Sequence, residues 1–169
     1  MATTSGIKNQ FILAIKGLRA FEGKEANVHP FREMEPESAR DQDVSRLTGL
    51  AAFVSTERIQ KGSHAPVKQV TMVVDLWVNV WTEIAQNEIA EGDGDIITDS
   101  AGNPLVTRIQ EAEDLVADAV IALEGIVTEP SLPAGNATTF QDAFRMITAP
   151  KPYLVYRILT TAHLILDKE

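Results

Sequence analysis

Hydrophobic positions recur along the chain with two distinct periods, and the switch between them outlines the elements. From about Ser5 to Phe21, Ile7, Phe11, Ala14, Ile15 and Leu18 fall on one face of a helix. Thr4 or Ser5 supplies an N-cap, and Gly23 stands where a helix stop belongs. Gly17 lies inside that pattern, where glycine costs about 1 kcal/mol relative to alanine. A short strand is expected at Asn27–Phe31, followed by the charged stretch Arg32–Arg46, which has almost no apolar content and reads as a large loop. Leu47–Ile59, rich in small and β-branched residues, reads as the next strand, and Gln60–Pro66 as a turn.

The period then changes to two. Val70, Met72, Val74, Leu76, Val78, Val80 and Ile84 alternate with Thr71, Val73, Asp75, Trp77, Asn79, Trp81 and Glu83. Only a strand sends successive side chains to opposite faces, so Val67–Ile84 is expected to be one strand about 55 Å long. A strand of that length either curves or projects beyond the core. Residues 85–103 form an acidic, glycine-bearing loop. A second helix opens at Asn103-Pro104, carries Leu105, Ile109, Ala112, Val116, Ala119, Val120 and Leu123 as one stripe, and closes at Gly125. Residues 126–139, with Pro130, Pro133 and Gly135, read as a second large loop. Phe140–Thr148 and Tyr153–Leu166 read as two closing strands.

Strands follow one another rather than alternating with helices. The expected fold is therefore α+β: an antiparallel or mixed sheet with a long hairpin and both main helices on one face, forming a single domain over residues 1–169.

Composition narrows the function more than it defines it. The 169 residues carry 15 basic and 24 acidic side chains and no cysteine. Disulfide scaffolds, cysteine-ligated metals and thiol nucleophiles are excluded. No apolar run approaches the roughly 20 residues of a membrane helix, and no signal-peptide core is expected at the N-terminus. The net charge of −9 argues against a basic nucleic-acid footprint. Phosphate-binding glycine loops and the common hydrolase motifs do not occur, so no catalytic residue and no cofactor are assigned.

Four features remain as candidates. His29, His64 and His163 are far apart in sequence and set in different elements, which argues for ordinary packing over a convergent site. The acidic run Glu91-Gly92-Asp93-Gly94-Asp95 with Asp99 has the composition of a calcium loop. Counted from Asp93, however, the positions that should hold an oxygen ligand and a glycine are Ile97 and Thr98, so no metal site is assigned. Trp77 and Trp81 stand on the face of the long strand opposite its apolar row. Either another part of the chain covers them or they anchor a subunit interface. Finally, 12 of the 24 acids lie between Glu83 and Glu129, opposed there by Arg108 alone. That is an ordinary solvated face or a field that repels polyanions.

The order of elements, with DLWVNVWTEI (Asp75–Ile84) ending the long strand and DLVADAVIALEG (Asp114–Gly125) closing the second helix, resembles the tail terminator, or tail-completion, proteins of long-tailed bacteriophages. The resemblance implies a structural virion protein made in the bacterial cytoplasm. It would form a homo-oligomeric ring, typically a hexamer, at the head-proximal end of the tail tube, ending tube polymerisation and providing the head–tail joining surface. Its partners would be other copies of itself, the tail-tube protein and a head-side connector, with DNA passing through unread. On this reading Trp77, Trp81 and the charged loop residues Arg32, Glu33, Glu35 and Arg40 are candidates for subunit or partner contact. Glu88, Glu91, Asp93, Asp95 and Asp99 are candidates for an acidic lumen. Another neck or head-completion protein, a non-viral acidic adaptor module, and a small metal-dependent enzyme using Asp93–Asp99 are the competing classes.

Overall fold

Thr3 opens the first helix. Its extended backbone places the side-chain hydroxyl to accept from the Gly6 N–H at 3.0 Å, one position earlier than the sequence suggests, and α1 spans Thr4–Lys16. The computed structural model describes residues 3–30, 50–62, 66–79, 105–132, 136–146 and 153–165. The helix ends at Gly17 and not at Phe21. Leu18 turns extended, and a short 3-10 turn over Arg19–Phe21 then swings Phe21 into the core, where it is fully buried. Continuing the α-helix through Gly17 would have carried the helix penalty of glycine and a different direction for Phe21.

A second 3-10 turn, Glu25–Asn27, leads into β1 (Val28–Pro30). The remaining elements are β2 (Leu50–Lys61), β3 (Val67–Asn79), α2 (Leu105–Leu123), β4 (Thr139–Arg145) and β5 (Tyr153–Ile165). The sheet order is β1-β2-β3-β5-β4. β1 runs parallel to β2 and every other pairing is antiparallel, so the sheet is mixed. β2 and β3 pair as a long hairpin from Leu50↔Val78 to Lys61↔Lys68, and β5 matches β3 along its whole length, from Val67↔Ile165 to Asn79↔Tyr153.

Both helices lie on one face of this sheet and share its core. Ile7, Phe11 and Ile15 from α1 and Ala112, Leu115, Ala119 and Leu123 from α2 pack on Val54, Val70, Met72, Val74, Leu76, Ile158 and Leu164. The alternation along β3 thus assigns the helix-bearing row correctly. In α2 the buried line runs through Leu115, while Val116 and Val120 are half-buried, so the apolar stripe is rotated slightly from the one the spacing predicts.

Residues 126–132 and 136–138 form no helix or strand, as the loop reading expects, and hydrogen bonds tie them to their surroundings. Gly125 adopts φ +77°, the left-handed conformation glycine takes most easily after a helix, and its N–H donates to the Thr138 carbonyl at 2.9 Å. The buried Thr138 hydroxyl donates to the Leu123 carbonyl at the end of α2 and accepts from the Ile126 N–H. Val127 bridges to Ala137, and the Thr128 hydroxyl donates to the His163 carbonyl in β5 at 3.0 Å. Hydroxyls therefore terminate the helix and tie its exit to the sheet.

Candidate functional site

The face of the sheet away from the helices carries the residues that sequence alone marks as unusual. The strand registers align them in rows. One row crosses all five strands: His29, Phe53, Asp75, Arg157 and Phe144. The adjacent row holds Ala51, Trp77 and Val155, with Met146 beyond them packed on the same cluster.

This face, which alternation leaves half-polar, is largely shielded from water. Thr71, Val73, Asp75 and Trp77 are all buried, as are Ala51, Phe53, Val155 and Thr161. Trp77 is only 4% exposed and meets Phe53 edge-on, with ring centroids 5.9 Å apart. On its other side Phe53 stacks on His29 at 5.7 Å. The three rings and the small residues beside them make a second, smaller apolar cluster behind the main core.

A charge pair sits at the centre of this face. Arg157 Nε and Nη2 donate to Asp75 Oδ1 and Oδ2, each at 2.8 Å, in the two-pronged geometry that matches guanidinium to carboxylate. The Asp75 side chain is 4% exposed and that of Arg157 29%. Hydrogen bonding to Asp75 holds the guanidinium above its usual range, against the opposing effect of burial. Sequence reading passed over this pair because the partners are 82 residues apart. The available signal was an acid set in the middle of the most apolar strand, which demands a partner.

The setting of His29 links stability to pH. Burial, with a smaller repulsion from Lys16, holds its imidazole below the ordinary value of 6.5, and its Nε2 meets no hydrogen-bond partner among the described residues. The unfolded chain therefore takes up a proton at higher pH than the folded one. The contribution of neutral His29 is complete above about pH 6.5 and is lost as the pH falls below it. The expected result is a urea midpoint that drops between about pH 7 and pH 5, with a smaller drop in His29→Phe. Identical pH slopes in the two proteins would remove His29 from the account.

The histidines described do not converge. His163 pairs with Gln69, six residues along β3 from the row of His29, which is about 20 Å of strand. Among the described residues no cluster of histidine and acidic side chains is suited to a metal ion. No described helix is long and apolar enough to cross a membrane. Glu113, Asp114, Asp118 and Glu124 are exposed on or just after α2, as a solvated acidic face requires. Glu129 differs: it is buried and accepts from the Ser131 hydroxyl. Trp81, His64, the contact candidates Arg32, Glu33, Glu35 and Arg40, and the lumen candidates Glu88, Glu91, Asp93, Asp95 and Asp99 lie outside the described residues. Comparison with known proteins finds no family model that matches the chain and no matching curated protein.

Proposed function

We propose that this chain is a structural virion protein, a tail terminator subunit that forms a ring at the head-proximal end of a phage tail tube. The observation that supports the reading is the element order. A helix, a short strand, a long hairpin, a second helix and two closing strands build one mixed five-stranded sheet with both helices on one side, an α+β arrangement of the kind the resemblance implies. The role requires no bond to be made or broken. Growth of the tube ends because the terminator offers a surface complementary to the last tube ring, while its own head-to-tail contacts close on themselves.

The charge of −9 fits a channel that DNA traverses without being gripped, since an acidic wall repels phosphates instead of exchanging their counterions. The exposed carboxylates of α2 equally suit the runner-up, an adaptor that meets a basic partner. Mass measurement and electron microscopy of the purified protein, alone and with tail tubes, separate the two. The ring reading expects a closed oligomer, free or formed on tube ends, that blocks further addition of tube protein. A protein that stays monomeric and leaves tube length unchanged would sink it.

A further inference from the structure

Among the described residues the sheet has two open margins. β1 covers β2 only from Ala52 to Val54, so beyond that point the outer edge of β2, Ser55–Lys61, meets no strand among the described residues. On the far side, β4 (Thr139–Arg145) pairs among the described residues with β5 alone. Each free edge is seven residues long. Both are largely exposed, each holds one bulge, and each bears charges. Unpaired edges are templates for another strand, which is why proteins guard them with bulges and charged side chains.

We propose that these two edges are the halves of one joint between copies of this chain. The free edge of β2 in one subunit pairs antiparallel with β4 of the next, and the sheet continues from subunit to subunit. The proposal deepens the ring reading and rests on it. Strand polarity carries the first part of the argument. β2 opposes β3, β3 opposes β5 and β5 opposes β4, so β2 and β4 run in opposite directions. A rotation about an axis near the strand direction preserves those directions, and therefore brings β4 and the next β2 together antiparallel. The same rotation keeps the helices of every copy on one side, so residues that meet must come from the same face.

The bulges make such a match possible. β2 slips by one residue at Glu57 and β4 slips by one at Gln141. With Arg58 set opposite Asp142, Thr56 meets Ala143 and Ser55 meets Phe144 on one side. On the other side, Ile59 meets Phe140 and Gln60 meets Thr139. Every pair is same-faced: Thr56, Ile59, Phe140 and Ala143 lie in register with helix-side residues, and the others lie in register with the opposite face. The central contact is a cation facing an anion, and neither Arg58 nor Asp142 has an ion-pair partner among the described residues. Ile59, which is 48% exposed, gains an aromatic neighbour. A groove of about 450 Å³ between the start of α1 (Thr4, Ser5, Lys8) and Ser55–Ile59 leaves room on the helix side for the arriving strand.

The absence of cysteine gives a clean test. In the full-length Arg58→Cys/Asp142→Cys variant, mild oxidation should produce a ladder of disulfide-linked multimers. Each single variant should give none, and Arg58→Cys/Arg145→Cys, out of register, should link several-fold less. A bond within one chain is out of reach, because β2 and β4 are three strand spacings apart, about 14 Å, and a disulfide needs Cα atoms within roughly 7 Å. Arg58→Asp or Asp142→Arg alone should weaken association by about 5- to 10-fold, and the two together should restore it. An oligomer of ring mass that gives no 58–142 link overturns the joint and leaves the ring standing. Efficient dimers from Arg58→Cys alone also overturn it, in favour of β2 pairing with itself. A protein that is monomeric throughout overturns the ring, and the joint with it.

Discussion

Trp77→Ala is expected to lower folding stability by about 3–5 kcal/mol, read as a fall in the urea midpoint, with Trp81 remaining as the fluorescence reporter. The magnitude follows from burial. Trp77 is 4% exposed, packs edge-on against Phe53 and shares its cluster with Ala51, Val155 and Met146. Truncation removes the largest side chain of that cluster and leaves a cavity that β2 and β5, tied to β3 through every backbone bond of their registers, cannot collapse to fill. Trp77→Phe keeps most of the volume and should recover more than half of the loss. The same variants address the interface reading of this residue. Loss of oligomer with an unchanged monomer midpoint would assign the indole to a subunit contact; loss of midpoint in the monomer assigns it to the fold.

The burial of Trp77 also marks where sequence reading stops. Period-2 alternation located β3 and sorted Val70, Met72, Val74 and Leu76 onto one face, because the pleat is a local property. It did not say whether the other face met water. That depends on what packs there, and Val73, Asp75 and Trp77 show that a half-polar row can be as buried as an apolar one. The element order was legible for a similar reason, since caps, turns and periodicity act within a few residues. Sheet order was not. Nothing near Val28 announces a parallel pairing with Ala52, and nothing in Ser55–Lys61 shows that its outer edge meets no other described strand, because both facts belong to strands distant in sequence. Composition marked 126–139 as a loop, and its described residues up to Thr138 hold no helix or strand, but composition did not show that Thr128 and Thr138 bond the segment to β5 and to the end of α2.

Arg157→Met should prove nearly as damaging as loss of the tryptophan, and Asp75→Ala markedly less so, although both variants break the same pair. The reason is unequal burial. The Asp75 side chain is 4% exposed, so removing its partner strands a carboxylate where water cannot reach it, at a cost of about 3 kcal/mol. The Arg157 side chain is 29% exposed, so once its partner is gone the guanidinium can turn toward solvent, and the loss is closer to about 1–2 kcal/mol. Asp75→Leu combined with Arg157→Met replaces the pair by apolar groups of similar size between Phe53 and Phe144. That double variant should recover most of the stability, since a buried ion pair contributes little beyond its hydrophobic equivalent. With Asp75→Leu also measured alone, the urea midpoints of wild type, the two single variants Asp75→Leu and Arg157→Met, and the double variant form a complete cycle. Equal losses from Asp75→Ala and Arg157→Met would show that Arg157 is held as tightly as Asp75, and that the exposed part of its side chain gives it no route to water.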